Sequence, residues 1–272
     1  MICYVLDLKS VYGKLGRAEE HFQAVDAEIS SWMKDCTYSF AFEHNADFTR
    51  HAVVLRRVGP DPDLLRWTLI IGDCINNLRI SLDHLIYAVA KHETRNNPTC
   101  DIEKLAFIIV DKPELFMSKD NRKRLEGLSD EVIDAVRNCQ PFIRKHPVLP
   151  PALTILRNFS NDDKHRLLRT ANSAPTILNL EFTSPRLRED KRIIPISEPI
   201  ENNAEICVVE SPQPDPQLRF KGHSLGMEVA LWHGTRDANS DPMDGRTGYA
   251  GLLPILISEV KFAIETVRAA VK

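Results

Sequence analysis

Between Asp61 and Thr94 the apolar positions recur with helical rather than strand spacing. Placing successive residues about 100° apart puts Leu64, Trp67, Ile71, Cys74, Ile75, Leu78, Leu82, Leu85, Ile86 and Val89 on one broad face. Asp73, Asn77 and His84 mark one border of that face, and Arg79 and Asp83 mark the other. Asp61 followed by Pro62 has the form of an N-cap with proline in the first turn, and Asn96-Asn97-Pro98 supplies a stop. A helix of about 30 residues runs about 45 Å, enough to be the central strut of a domain.

Helical spacing also predicts a first helix from about Leu8 to Lys34, with Phe22, Val25, Ile29, Trp32 and Met33 on its apolar side. Tyr38 to Phe42 alternates and Ala52 to Val58 is rich in β-branched residues, so the polar stretch His44–Asp47 reads as the turn of a hairpin. Phe107–Val110 is a short apolar run with the form of a buried strand. Short helical pieces follow in Lys112–Arg124. Ser129 then caps a helix through Val132, Ile133 and Val136, which Gln140-Pro141 closes. Pro147, Pro150 and Pro151 form a rigid connector into a helix that runs to about Thr170.

From Pro175 to Gly234 the period changes to two. Strands are expected at Thr176–Thr183, Ala204–Glu210, Gln217–Lys221 and Met227–His233, with a charged loop at Ser184–Lys191. A loop from Gly234 to Gly248 leads to a last helix from about Leu252 to Val271, striped by Leu256, Val260, Ile264 and Val267. The fold class is therefore α+β: a helical bundle around one long central helix with an additional antiparallel sheet. The expected organisation is a helical module over residues 1–172 that carries the hairpin, a sheet region over 173–247, and a C-terminal helix over 248–272 returning to the bundle.

Composition narrows the function classes. The 272 residues are 43% hydrophobic and 27% charged, sufficient for a core. A net charge of -3 and a pI near 6.3 exclude a generally basic nucleic-acid coat, though not a local basic groove. No window reaches about 18 consecutive apolar residues, so no membrane span is expected. Met1–Leu8 lacks a basic leader region and a small-residue cleavage site, so no signal peptide is expected either. The six cysteines (Cys3, Cys36, Cys74, Cys100, Cys139, Cys207) contain no C-x-x-C pair, which points to free thiols and a cytoplasmic setting. Nothing in the sequence points to DNA, and no cofactor motif is present: there is no Walker loop, no G-x-G-x-x-G and no G-x-S-x-G elbow. The loop residues Arg186, Arg188, Lys191 and Arg192 could follow an RNA backbone, but Glu189 and Asp190 balance them.

Two polar clusters are the candidate site. One is Gly72-Asp73-Cys74-Ile75-Asn76-Asn77-Leu78-Arg79-Ile80-Ser81-Leu82-Asp83-His84; the other is Ser160-Asn161-Asp162-Asp163-Lys164-His165-Arg166. In the second, Asp163 falls in the stripe of Leu153, Leu156, Ser160 and Leu167, where a carboxylate needs a cation or hydrogen bonds. Arg79 is the economical partner, through a bidentate contact joining the two helices. Clasps of this kind commonly fix helix register without doing chemistry.

Together the clusters resemble a family of uncharacterised bacterial proteins that carries a G-D-x-x-x-N-L-R-x-x-L-D-H helix and a later N-x-D-K-H-R helix. The matching residues are Gly72, Asp73, Asn77, Leu78, Arg79, Leu82, Asp83 and His84, then Asn161, Asp163, Lys164, His165 and Arg166. This resemblance extends to about Arg169 and implies no particular activity. Arg79-x-x-x-x-His84 also resembles the R-x(4–6)-H signature of HEPN-like helical domains, many of them metal-independent ribonucleases in toxin–antitoxin and phage-defence systems. That resemblance implies an RNA partner, with His84 as general acid/base and Arg79 stabilising charge on the phosphorane. Asn77, Asp83, Lys164 and His165 would support them. Ile80 departs from the pattern, which usually has a polar residue there. Arg79 and His84 also lie about 140° apart on a helix, so convergence needs a long arginine reach or a second copy's helix in a homodimer.

Two other readings stand beside the ribonuclease. In one, the protein is a non-catalytic interaction module whose motif residues are interhelical clasps. In the other, Asp73, His84, Asp163 and His165 serve a metal-dependent hydrolase. No HExxH motif accompanies that set.

Overall fold

A computed structural model describes residues 6–94, 101, 104–144, 150–165, 170–185, 190–193, 202–232 and 246–272; at 164–165, 170–179, 190–193, 222–228, 230, 232 and 246–247 only the backbone is described. Within these the element order is α1 (Lys9–Asp35), β1 (Thr37–His44), β2 (Arg50–Val58), α2 (Leu64–Glu93), α3 (Pro113–Phe116), α4 (Lys119–Arg124), α5 (Asp130–Asn138), α6 (Ala152–His165), β3 (Thr170–Thr183), β4 (Asp190–Ile193), β5 (Glu205–Glu210), β6 (Arg219–Trp232), β7 (Arg246–Gly248) and α7 (Tyr249–Ala270). The fold is α+β. The chain forms two compact units: Met1–Val25, Trp67–Leu168 and Gly251–Lys272 make the first, and Asp26–Arg66 with Arg169–Ala250 make the second.

The first unit is helical. Its core takes Val11, Leu15 and Ala18 from α1, the predicted apolar face of α2 from Trp67 to Val89, and Leu252, Leu256, Val260, Ile264 and Val267 from α7, all buried; Leu64, at the start of that face, is half-buried. α1 and α7 are joined at their surfaces by Tyr12 Oη donating to Glu265 at 2.7 Å and by the Lys261–Glu19 ion pair at 2.5 Å. Cys74 is fully buried in the α2 face, and burial pushes its thiol up to about 12, so it is packing material and no nucleophile. None of the described helices is long and apolar enough to cross a membrane.

The second unit is two antiparallel sheets, ordered β1-β2-β5 and β4-β3-β6-β7. Side chains of alternate residues from both sheets meet: Leu180 and Phe182 of β3 share a cluster with Val53 of β2 and Cys207 and Val209 of β5. Phe42 of β1 lies 6.1 Å from Phe182 and 6.2 Å from Phe220, ring centre to ring centre. The predicted hairpin forms as β1 and β2, and β2 pairs onward with β5, which groups it with the later strands. At the turn out of β2, Gly59 has φ +134° and a Cβ there would lie 2.6 Å from the Asp35 carbonyl.

Several boundaries differ from those expected. α2 begins at Leu64 because Asp63, not Asp61, receives the first-turn amide of Arg66, at 3.1 Å; Asp61 instead pairs with Arg57. The two strands expected at 217–221 and 227–233 are one long β6, which continues through Gly222 and Gly226 with a register shift against β3 at Lys221. α6 is described as far as His165 and Thr170 already begins β3, while residues 190 and 191 of the expected charged loop belong to β4. Likewise 246–248 of the expected C-terminal loop form β7. Phe107–Ile109 is buried and Val110 half-buried, but the segment is no strand; its backbone is held by side chains.

Candidate functional site

Gly72, Asn76, Arg79 and Asp83 are spaced four, three and four residues apart on α2, which brings them within about 60° of one another. Beside them runs a second stripe, Asp73, Asn77, Ile80, His84, Tyr87 and Lys91, turned by about 90°. The first stripe is filled with interactions inside the helical unit.

At its N-terminal end α6 packs closely. An added Cβ on Gly72 would lie 2.5 Å from Oδ1 of Asp163, so the glycine makes room for that carboxylate. The Asn76 amide donates to Asp163 Oδ2 at 2.5 Å, and Ser160 Oγ approaches Asn76 Oδ1 at 3.4 Å. The expected Arg79–Asp163 contact is therefore replaced by an Asn76–Asp163 contact. Asn76 sits one turn from Gly72, directly over the gap that Asp163 enters, whereas the Arg79 guanidinium is drawn the other way.

Arg79 reaches the segment after the long helix. Its Nη2 donates to the Phe107 carbonyl at 2.7 Å and to Asp83 Oδ1 at 3.0 Å, and the same Asp83 oxygen accepts the Phe107 amide at 2.9 Å. The three groups close a ring around one peptide unit's neighbours. The Arg79 side chain is 14% exposed. Burial pulls its pKa below the ordinary guanidinium value, Asp83 opposes that shift, and Arg124 and Arg157 add to it; a guanidinium keeps its proton regardless. Gln140, fully buried, extends the same device: it donates to the Ile108 carbonyl at 2.7 Å and accepts the Val110 amide at 3.0 Å. Arg157 of α6 donates to the Ile109 carbonyl at 3.3 Å and to Asp111 at 2.7 Å. Side chains thus satisfy the polar backbone that a neighbouring strand would otherwise pair. At the far end of α2, Glu93 accepts from the Ser129 amide at 2.6 Å and hydroxyl at 2.5 Å. Ser129 occupies the predicted N-cap position of α5, but its hydroxyl serves α2.

The second stripe is different. Asp73 is exposed, and Asn77, half-buried, donates to the Asp73 carbonyl of its own helix at 2.8 Å. His84 is half-buried; its Nδ1 is closed off from water and has no hydrogen-bond partner among the described residues. Arg79 Nη1 is in the same condition. No hydrogen bond joins His84 to Arg79. On α6, Asn161 is exposed and Asp163 half-buried. The side chains of Lys164 and His165 lie outside the described residues, as do Arg166, Arg186, Arg188, Cys3, Cys100 and Pro147.

The structure therefore brings Arg79 to Asp83 and Asp163 to α2, but leaves Asp73, Asn77 and His84 on a separate stripe. Gln140 and Glu93 contribute from outside both clusters, whereas Asn76 and Ser160 stand inside them without a role assigned from the motifs. Asn76 had a signal, since it lies one turn beyond a glycine facing a helix that carries a core-facing aspartate. Among the described residues no three His, Cys, Asp or Glu side chains gather in a way that could hold a metal ion. A cleft of about 470 Å³ between the ends of α5 and α6 and α7, lined by Cys139, Leu153, Leu252 and the Arg144–Glu259 pair, contains no motif residue. Comparison of the chain with protein-family models, with curated proteins and with solved structures returned no match.

Proposed function

We propose that this protein is a non-catalytic helical interaction module, in which the polar motifs of α2 and α6 brace the bundle that presents its binding surface. One observation carries this reading: the Arg79 guanidinium is committed to the Phe107 carbonyl and to Asp83. An arginine so engaged would leave the buried Phe107 carbonyl without its donor and Asp83 without its cation if it swung out to meet a phosphorane. The Asn76–Asp163 contact supports the same role for the second motif.

A HEPN-like, metal-independent endoribonuclease is the second reading. It is favoured by His84, whose ring has no hydrogen-bond partner among the described residues and so is not consumed structurally. The two readings part in one experiment: purified protein is incubated with mixed cellular RNA in the presence of a chelator, beside a His84→Ala variant. The interaction module leaves the RNA intact in both samples. Cleavage by the parent protein that the variant lacks would replace it with the ribonuclease.

A further inference from the structure

We infer that the cleft between the ends of α5 and α6 and α7 is a binding pocket for an uncharged, largely apolar small molecule. None of its described lining residues belongs to either polar cluster, and its occupant is independent of the interaction-module reading. The cleft holds about 470 Å³, within the range of small-molecule sites. Its floor is apolar: Cys139, Leu153, Ile155 and Leu252 are each no more than 2% exposed. Burial pushes the Cys139 thiol up to about 12, so it adds a neutral wall and no nucleophile. Pro141, Pro150 and Pro151 line the sides, and proline brings apolar surface with no backbone N–H to offer a ligand.

Charge fixes the class of ligand. Arg144 and Glu259 are the charged residues of the described lining, and they neutralise each other. Arg144 Nε donates to Glu259 Oε1 at 2.5 Å and its Nη2 donates to Oε2 at 3.2 Å, while the guanidinium lies 3.8 Å over the Phe262 ring. An ionised ligand would have to break that fork to gain a partner, and would lose its hydration against apolar walls. A neutral molecule does neither. Shape decides against a protein partner. A docked helix needs a groove that takes anchors over about two turns, and a specific protein interface covers about 800 Å² on each side. The rim offers only Ile143 and Ile255 as exposed apolar side chains, which a small ligand seated on the floor would cover.

Titration of the full chain with N-phenyl-1-naphthylamine, an uncharged dye that fluoresces in apolar surroundings, tests this beside its anionic relative 1-anilinonaphthalene-8-sulfonate. The neutral dye is expected to bind once per chain with a dissociation constant of about 10 µM, and the sulfonate about tenfold more weakly. Ala152→Phe, whose ring would fill the cleft, is expected to weaken the neutral dye about tenfold. Ile255→Trp, at an exposed rim position, does the same and carries the test if the first variant does not fold. Glu259→Gln leaves Arg144 without its counter-charge and should bring the sulfonate to within about threefold of the neutral dye. The inference is overturned if the parent shows no saturable binding, or if a folded filling variant binds as tightly as the parent. It is also overturned if the sulfonate binds the parent as well as the neutral dye does, or gains nothing in Glu259→Gln. No RNA and no second protein enters the titration, so its failure is separate from failure of the interaction-module reading.

Discussion

Two stripes of the same helix, a quarter turn apart, carry similar residue types and meet opposite fates. On one, Gly72, Asn76, Arg79 and Asp83 are matched to Asp163 and to the backbone of Phe107. On the other, Asp73 and His84 have no side-chain partner among the described residues, and Ile80 and Tyr87 stand exposed. Residue type alone does not separate structural polarity from available polarity. What separates them is whether each donor and acceptor already has a place to go.

The sharpest way to break this contrast is to remove a matched group. Arg79→Leu keeps the apolar stem but strips the donor from the Phe107 carbonyl and from Asp83. Urea unfolding is expected to show a loss of about 3 kcal/mol. A loss below about 1 kcal/mol would mean that the guanidinium is not bracing the segment.

Gly72→Ala sets two effects against each other. Alanine favours a helix interior by about 1 kcal/mol, but its methyl would collide with Asp163, and such overpacking costs about 1–3 kcal/mol. A net destabilisation of about 1 kcal/mol is expected in thermal unfolding. In an Asp163→Ala background the collision is gone, and the same substitution should become stabilising. If the sign does not reverse, the close approach of the two helices is wrong. His84→Ala, on the free stripe, is expected to change stability by no more than about 0.5 kcal/mol. A larger loss would move His84 across to the matched stripe.

The central helix and its apolar face were legible because about eight turns of periodic burial leave a strong local signal. The same holds for the β-rich period from Pro175 onward, although Gly222 and Gly226 disguised one long strand as two. The need for a partner at Asp163 was legible too, since a core-facing carboxylate cannot stand alone. Which partner it takes was not, because helix–helix contacts of long sequence separation leave no local mark, and Asn76 and Asn77 look alike in a string. Phe107–Val110 misled for a related reason. An apolar run states that a segment is buried, but not whether strands or side chains will answer its backbone.

That last segment has a consequence for the fidelity of folding. A β-ladder is anonymous: any extended chain of suitable length can substitute for a strand, shifted by two residues or borrowed from a neighbour. Residues 107–110 are instead addressed by named side chains: Arg79 from α2 at 107, Gln140 just beyond α5 at 108 and 110, and Arg157 from α6 at 109. A slipped or borrowed segment would find its carbonyls misaligned with Arg79, Gln140 and Arg157 together, so this part of the bundle admits one alignment and rejects impostors.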